Sequence, residues 1–388
     1  YGPFGLIFLF TGYLWNFNGA VFMAKKIRVG VLFGGKSSEH EVSLQSARNV
    51  IDAIDKTKYE VVPIGIDKTG RWFLNEAEKL LPESNKEGLA EVKDPSTLVA
   101  LIPEGRGELT RPSQPGSLGS VDVVFPVLHG PLGEDGTVQG LLKLADVPFV
   151  GPGVLGSAVA MDKDVMKRLI RDAGIPTPDF ITVMRFQAPS LDVNAVVDRL
   201  GLPLFVKPAN QGSSVGISKV NEKSELADAL IEALRFDDKV LIEAFAGKRE
   251  VECAVLGNEY PESSIPGEVL PLHDFYSYEA KYLDENGAVL KIPADLSDEQ
   301  VKEVQDLAVR TFQVLCCEGM ARVDCFLTDD NRWLVNEVNT IPGFTRISMY
   351  PKLWEASGMP YTDLVDKLIQ LAMERYEREQ KLKTTFDF

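Results

Sequence analysis

Residues 319–349 read GMARVDCFLTDDNRWLVNEVNTIPGFTRISM. Two apolar, alternating runs, Met320–Leu327 and Arg332–Val338, flank the polar cluster Thr328-Asp329-Asp330-Asn331, the pattern of a β-hairpin. A tight loop at Asp330-Asn331 sets Asp324 opposite Glu337 and Arg322 opposite Asn339. Side chains two apart share a face of a strand. One face of this hairpin therefore gathers two carboxylates, an amide and a guanidinium. Like charges directly opposed on a sheet are destabilising unless a cation sits between them. Oxygen donors without Cys or His favour Mg²⁺. The competing reading is a solvated polar face on an edge hairpin, and the rest of the chain has to decide between them.

The chain has 388 residues, 45% of them hydrophobic and 25% charged. At about 150 residues per domain this predicts two or three packed domains. A net charge of −16 without a basic block argues against nucleic acid as a partner. The four cysteines, Cys253, Cys316, Cys317 and Cys325, show no metal spacing and fit a reducing, cytoplasmic setting. Residues 1–22 are apolar and aromatic, lack a basic start, and precede Met23-Ala24-Lys25-Lys26, which looks like a natural beginning; they read as a non-native or disordered extension. No later stretch has the ~20 apolar residues of a membrane span.

Strand and helix patterns fall into three successive blocks. Ile27–Phe33 is a strand running into Gly34-Gly35, followed by a helix over Val42–Ile54 with Ser43 or a nearby Ser as cap, and by a strand at Tyr59–Ile66. Residues 68–120 are less regular, and 103–119, rich in Gly, Pro and Ser, read as an inserted loop. Val121–Leu128 is a buried strand before a glycine-rich turn at 129–136. One helix is expected over Ser157–Ala173 and another over Val193–Leu200. Leu204–Pro208 is a strand. Val240–Phe245 and Val251–Leu256 are strands that open the third block. Asp298–Leu315 and Tyr361–Leu382 are helices. The expected division is 23–152, 153–242 and 243–388.

Several motifs carry chemistry, each weak alone. Gln211-Gly212-Ser213-Ser214-Val215-Gly216 is a small-residue loop that lets backbone N–H groups approach a phosphate, although such loops are as often plain turns. Lys207 sits in an otherwise apolar strand and needs a partner; Lys163 is a second candidate cation or a solvated helix lysine. Glu243 and Glu250 flank Phe245 and Ala246, a set suited to a nucleoside or simply to a strand end. Tyr276-Ser277-Tyr278-Glu279-Ala280-Lys281-Tyr282 reads as pocket wall or surface lid. There is no Gly-x-Ser-x-Gly elbow and no Gly-x-Gly-x-x-Gly fingerprint, which disfavours serine hydrolase and dehydrogenase chemistry.

Taken in order, GGKSSEHEVSL at 34–44, HGPLGEDGTVQG at 129–140, MDK at 161–163, VKPANQGSSVGISKV at 206–220, YEAKY at 278–282, ARVD at 321–324 and NEVNTIPGFT at 336–345 resemble the D-alanine–D-alanine ligases of the ATP-grasp superfamily. The resemblance implies an α/β (α+β) ATP-grasp fold of three domains, the first Rossmann-like. It implies ATP-dependent joining of two D-alanines through a D-alanyl phosphate, for peptidoglycan synthesis, by a cytoplasmic homodimer with no membrane or nucleic-acid partner. Asp324, Glu337 and Asn339 would bind two Mg²⁺ (or Mn²⁺), with Glu337 bridging. Lys163 and Lys207 would hold the α- and β-phosphates, with Ser213 and Ser214 in the loop closing over them. Glu243, Phe245, Ala246 and Glu250 would hold adenine and ribose. Arg322 and Lys281 would neutralise the transferring phosphoryl group. Glu39 would take the ammonium of the first D-alanine, with His129 near its carboxylate and Tyr282 and Ser213 linked to Glu39. Gly343 would offer an oxyanion N–H, and Ser348 and Met349 would receive the second D-alanine. A sister ligase making a D-alanine–D-lactate or D-alanine–D-serine product is the alternative; Tyr282, which lactate-forming members replace by Phe, favours the dipeptide.

Overall fold

The computed structural model describes residues 25–74, 97–112, 114–247, 249–271 and 288–385, together with the short strands Leu9–Phe10, Tyr13–Trp15 and Val21–Met23, which pair only among themselves. Three larger sheets and one small one then follow among the described residues. In the first, Val123–Val127, Ile27–Gly34 and Tyr59–Ile66 are parallel neighbours, and Trp72–Leu74 is added antiparallel at the edge. Every residue of Val123–Val127 is buried, as expected of a parallel strand covered on both faces. Helix His40–Ala53 covers one face, and Val31, Phe33, Leu44, Val50, Val123 and Phe125 share a core with the terminal helix Tyr361–Glu379.

The second sheet runs in the order Phe180–Met184, Lys239–Ala244, Leu204–Pro208, Ser218–Val220, all antiparallel. Its strands alternate. Leu204, Val206, Val240 and Ile242 pack with Val196, Leu226 and Leu230 of the helices Val193–Leu200 and Leu226–Ala233. Lys207 and Glu243 therefore point to the opposite face. The third sheet carries Ala288–Lys291, Gly267–Pro271, Arg249–Gly257, Gly319–Leu327 and Trp333–Asn339, with Glu262–Ser263 beside Arg249–Gly257. Its apolar face, including Val251, Cys253, Val323, Cys325 and Val335, packs on helix Asp298–Val314. That helix begins in a reciprocal cap between Ser297 and Gln300. The other face presents Glu250, Glu252, Arg322, Asp324 and Glu337.

The structure departs from the sequence reading at several elements. Residues 103–119 are not an open loop: Glu108–Arg111 pairs with Ala100–Leu101 on one side and Gln114–Ser120 on the other, anchored by buried Val99, Leu101 and Leu109. The Gly, Pro and Ser residues that suggested a loop supply the turns and bulges of this small sheet. Ser43 is not a cap. It lies inside the helix, where its hydroxyl accepts from Gly34 N (2.7 Å) and donates to the Val127 carbonyl. The helix expected over Ser157–Ala173 is two helices, Val154–Met161 and Lys163–Asp172, broken at Asp162. The Asp162 carboxylate caps Val165 N at 3.0 Å. The strand Lys239–Ala244, read as opening the third block, lies within the second sheet.

Candidate active site

Asp324 pairs with Glu337 and Arg322 with Asn339, as the hairpin reading requires. The route to that register differs from the one inferred. The connecting loop is one residue longer: Thr328 N donates to Arg332 O (3.0 Å), and Asn331 adopts a left-handed φ of 59°. This alone would slip the register. A bulge restores it, because Cys325 pairs with Val335 and Asn336 is the extra residue. The bulge turns both Asn336 and Glu337 towards the charged face. Asn336 reaches Lys207 and Glu250 (3.2 and 3.3 Å), and Glu337 reaches Lys163 (3.3 Å).

Around the hairpin, Arg322 donates to both oxygens of Asp324 (2.7 Å each) and lies 2.8 Å from Glu252 on the adjacent strand. Glu252 is directly opposite Asp324 in the sheet, and sequence reasoning did not single it out. Burial opposes the Arg322 charge, but Asp324 and Glu252 more than offset this and hold its proton more tightly than usual. Asn339 Nδ2 donates to Asp324 Oδ2 (2.9 Å). Among the described residues no three His, Cys, Asp or Glu side chains cluster as a metal site. The set here is two carboxylates and an amide oxygen, hard donors that fit a magnesium ion better than a thiophilic metal.

Across from this face, the break at Asp162 sets Lys163 at the start of its helix. Lys163 Nζ donates to Gln211 O (2.7 Å), tying the helix to the glycine loop. In that loop Ser213 and Ser214 both hold positive φ, 52° and 61°. Consecutive left-handed residues are strained and aim backbone groups into a concavity. Lys207 is paired with the buried Glu243 at 2.6 Å. Burial would raise the Glu243 carboxyl, but Lys167 and Lys207 outweigh it and hold the group below its ordinary value. Phe245 is 39% exposed and stacks on Phe205 at a 6.4 Å ring separation, leaving an apolar surface beside Glu243 and Ala246.

The glycine loop also meets the first sheet. The Ser213 hydroxyl donates to Glu39 Oε1, which the sequence reading anticipated. Glu39 is buried against two glycines: a Cβ at Gly130 would stand 2.7 Å from Glu39 Oε2, and one at Gly212 would stand 3.2 Å away. Gly130 also has a φ of 75°, so both its shape and its backbone need glycine.

His129 is buried with both ring nitrogens engaged, Nδ1 with Ile341 O (3.0 Å) and Nε2 with Ser46 Oγ (3.1 Å). Ser46 Oγ accepts from Phe344 N (3.1 Å), so its own proton goes to Nε2 and the ring donates through Nδ1. This neutral tautomer agrees with burial, which lowers the His129 pKa despite Glu39 nearby. In this structure His129 holds the 341–344 loop instead of offering a free N–H to a carboxylate. Glu134, missed in the sequence, does the same work: its two oxygens accept from Gly130 N (2.7 Å) and Ile341 N (2.9 Å). Phe344 locks the loop from below, with its ring 5.8 Å from Phe125, 5.7 Å from Tyr350 and 6.2 Å from Tyr361. Such aromatic pairs are worth about 1 kcal/mol each beyond burial.

Gly343 has no room for a side chain, because its Cβ would stand 2.7 Å from Ser348 Oγ. Ser348 precedes helix Met349–Ala356, whose first N–H groups suit a carboxylate. Its hydroxyl accepts from Thr345 N (2.9 Å). Lys281 and Tyr282, with Tyr276 and Tyr278, lie outside the described residues.

The Glu134 carboxyl makes one prediction. Burial, with Glu39 adding to it, pushes this group up to about 8 from 4.5. It is then protonated in the fold at neutral pH and ionised in the unfolded chain. Its contribution to stability is full below about pH 4.5 and is lost as pH rises through about 8. The difference in melting temperature, wild type minus Glu134→Gln, should shrink as pH rises from about 5 to about 9. A difference that stays constant over this range would show the carboxylate to be ionised in the fold.

Two antiparallel sheets that face each other with lysines, carboxylates and a strained glycine loop, beside a Rossmann-like sheet carrying Glu39, define an ATP-grasp ligase. The comparisons agree. The profile for the D-ala D-ala ligase N-terminus matches residues 28–152 and that for the C-terminus matches residues 169–370. A D-alanine–D-alanine ligase of Shouchella clausii is 54% identical, covering 94% of this chain and 99% of its own length. D-alanine–D-alanine ligase A of Escherichia coli K12 is 51% identical, covering 93% of this chain and 100% of its own. Among solved structures, the D-alanine–D-alanine ligase of Coxiella burnetii superposes with a TM-score of 0.80 at 41% identity, covering 92% of this chain and 97% of that one. The VanG D-Ala:D-Ser ligase of Enterococcus faecalis gives 0.78 at 37%, covering 90% and 100%. The chain belongs to the D-alanine–D-alanine ligase family, and with it to enzymes that use ATP and a divalent metal. Among the described residues no helix is long and apolar enough to cross a membrane.

Proposed function

We infer that this chain joins two D-alanines with ATP, giving D-alanyl-D-alanine, ADP and phosphate for cell-wall precursor synthesis. The observation that carries the reading is convergence: Lys163 meets Glu337 and Ser213 meets Glu39, so groups from all three sheets line one cleft. A carboxylate is a poor electrophile. One oxygen of the first D-alanine carboxylate attacks the γ-phosphorus and the bond to ADP breaks, forming an acyl phosphate. The free amine of the second D-alanine then attacks the acyl carbon, loses a proton, and phosphate leaves with its bonding pair. Glu39 holds the first ammonium. Lys163 and Lys207 hold phosphates, with Ser213, Ser214 and Lys281 around them, while Glu243, Phe245, Ala246 and Glu250 hold the nucleoside. Arg322 turns to the transferring phosphoryl group, where fixed positive charge lowers the barrier without reorganising. Asp324, Glu337 and Asn339 would hold two Mg²⁺ ions, which supply further charge neutralisation at the phosphate oxygens. His129 and Glu134 hold the loop of Gly343, whose N–H faces the developing oxyanion. Ser348 and Met349 present a helix N-terminus to the second carboxylate, and Tyr282 completes the first site.

The same reading makes the enzyme a cytoplasmic homodimer of three domains, the first at 23–152, with the boundary expected at 242/243 moved past Ala244 because strand Lys239–Ala244 belongs to the second sheet. The purified chain with ATP, Mg²⁺ and D-alanine should release phosphate and yield the dipeptide by mass spectrometry. In mixtures of D-alanine with D-lactate or D-serine the D-alanine dipeptide should predominate. A predominant D-alanine–D-lactate or D-alanine–D-serine product would overturn the assignment.

A further inference from the structure

Glu243 is shared by two lysines. Lys207 takes Oε1 at 2.6 Å, and Lys167 lies 3.0 Å from Oε2. The two lysines differ in what they can do next. Lys207 stands in a strand on the cleft face, 3.2 Å from Asn336 Oδ1 in the bulge. Lys167 is fully buried, one helical turn after Lys163 on the same helix face. Its ammonium donates to the Thr177 hydroxyl (3.0 Å), which donates onward to Val335 O (2.9 Å). This relay pins Lys167 between the second and third sheets, away from the cleft.

We propose that Lys167 is a positioning residue that serves as the permanent counter-ion of Glu243, so that Lys207 can leave Glu243 for a phosphate of the bound nucleotide. The inference rests on the nucleotide reading above. A carboxylate this deeply buried cannot stand alone, since an unpaired buried charge costs several kcal/mol. With Lys167 absent, Lys207 is the only described cation beside Glu243 and stays on it. With Lys167 present, Glu243 remains ionised when Lys207 moves. Lys167 touches no substrate in this arrangement; it sets where Lys207 points.

The test separates phosphate binding from nucleoside binding. Ligand-observed NMR titrations of ADP and of adenosine are run with the full chain. Lys167→Met should weaken ADP at least about tenfold, the loss of one charge-assisted hydrogen bond, and adenosine less than about twofold. In a Glu243→Gln background, where the neutral amide needs no counter-ion, Lys167→Met should change ADP affinity less than about twofold. If Lys167→Met does not fold on its own, Thr177→Val, which loosens Lys167 without removing its charge, should weaken ADP more than adenosine. Equal weakening of the two ligands, or the same ADP loss in both backgrounds, would overturn the proposal. Wild-type protein that binds no ADP would instead overturn the nucleotide reading beneath it.

Discussion

Asp324→Asn should lower ATP-dependent phosphate release by about 10²–10³-fold, the loss typical of removing one preorganised charge-stabilising group, while the protein stays folded. The substitution keeps the volume of the side chain and removes its charge. Asp324 is only 1% exposed, and both its oxygens are taken by Arg322. On the proposed metal reading, the neutral amide costs the set one of its two carboxylates, leaving Glu337 and amide oxygens. It also changes what Arg322 feels, because the ion pair with Asp324 is lost while that with Glu252 at 2.8 Å remains. That remaining pairing, and the intact apolar face of Val323, Cys325, Val335 and Val338, keep the hairpin in place. Melting by circular dichroism should therefore fall by a few degrees at most, and the Mg²⁺ concentration for half-maximal rate should rise. Wild-type turnover in Asp324→Asn would remove Asp324 from the metal set.

The hairpin shows why the sequence was legible there and how far. Alternation fixed which face Asp324, Arg322, Glu337 and Asn339 share, because one slip would move the apolar residues out of the core. It did not fix how the chain gets there. Loop length and bulge are each worth one residue of register, and here they cancel: the extra loop residue before Arg332 is undone at Asn336. Asn336 was invisible as a site residue, since strict alternation assigns it to the core side. Glu252 and Glu134 were missed for another reason. Their roles come from neighbours far along the chain, Asp324 and Ile341, and no local pattern announces such a pairing.

Elsewhere composition misled. Gly, Pro and Ser over 103–119 mark turns equally well in a loop and in a small twisted sheet, and only the burial of Val99, Leu101 and Leu109 tells them apart. The break at Asp162 was readable in principle: an Asp followed by Lys-Asp-Val is an N-cap signal inside an otherwise helical run. It matters because the break is what lets Lys163 leave the helix surface for Gln211 and Glu337. Lys167 stands one turn later on the same helix, but its partner Glu243 lies in strand Lys239–Ala244 of the second sheet, and no local pattern links the two.

Glu39→Gln should raise the KM for the first D-alanine by about 10–100-fold, the range for losing a charged hydrogen-bond partner, with a smaller change in kcat. The structure makes this a charge effect and not a shape effect. Gln fits the same space against Gly130 and Gly212 and can still accept from the Ser213 hydroxyl. What it cannot do is balance the substrate ammonium that Glu39 is proposed to hold. Steady-state phosphate release against D-alanine concentration checks this, and an unchanged KM would take Glu39 out of the first subsite. The same variant carries an internal control. The Glu39 charge is one cause of the raised Glu134 pKa, so removing it should draw that pKa down from about 8 and move the pH at which Glu134 ceases to stabilise the fold to lower values. A KM effect without that shift would mean that the two carboxyls do not sense each other, and that the 341–344 loop is held independently of the first substrate's ammonium site.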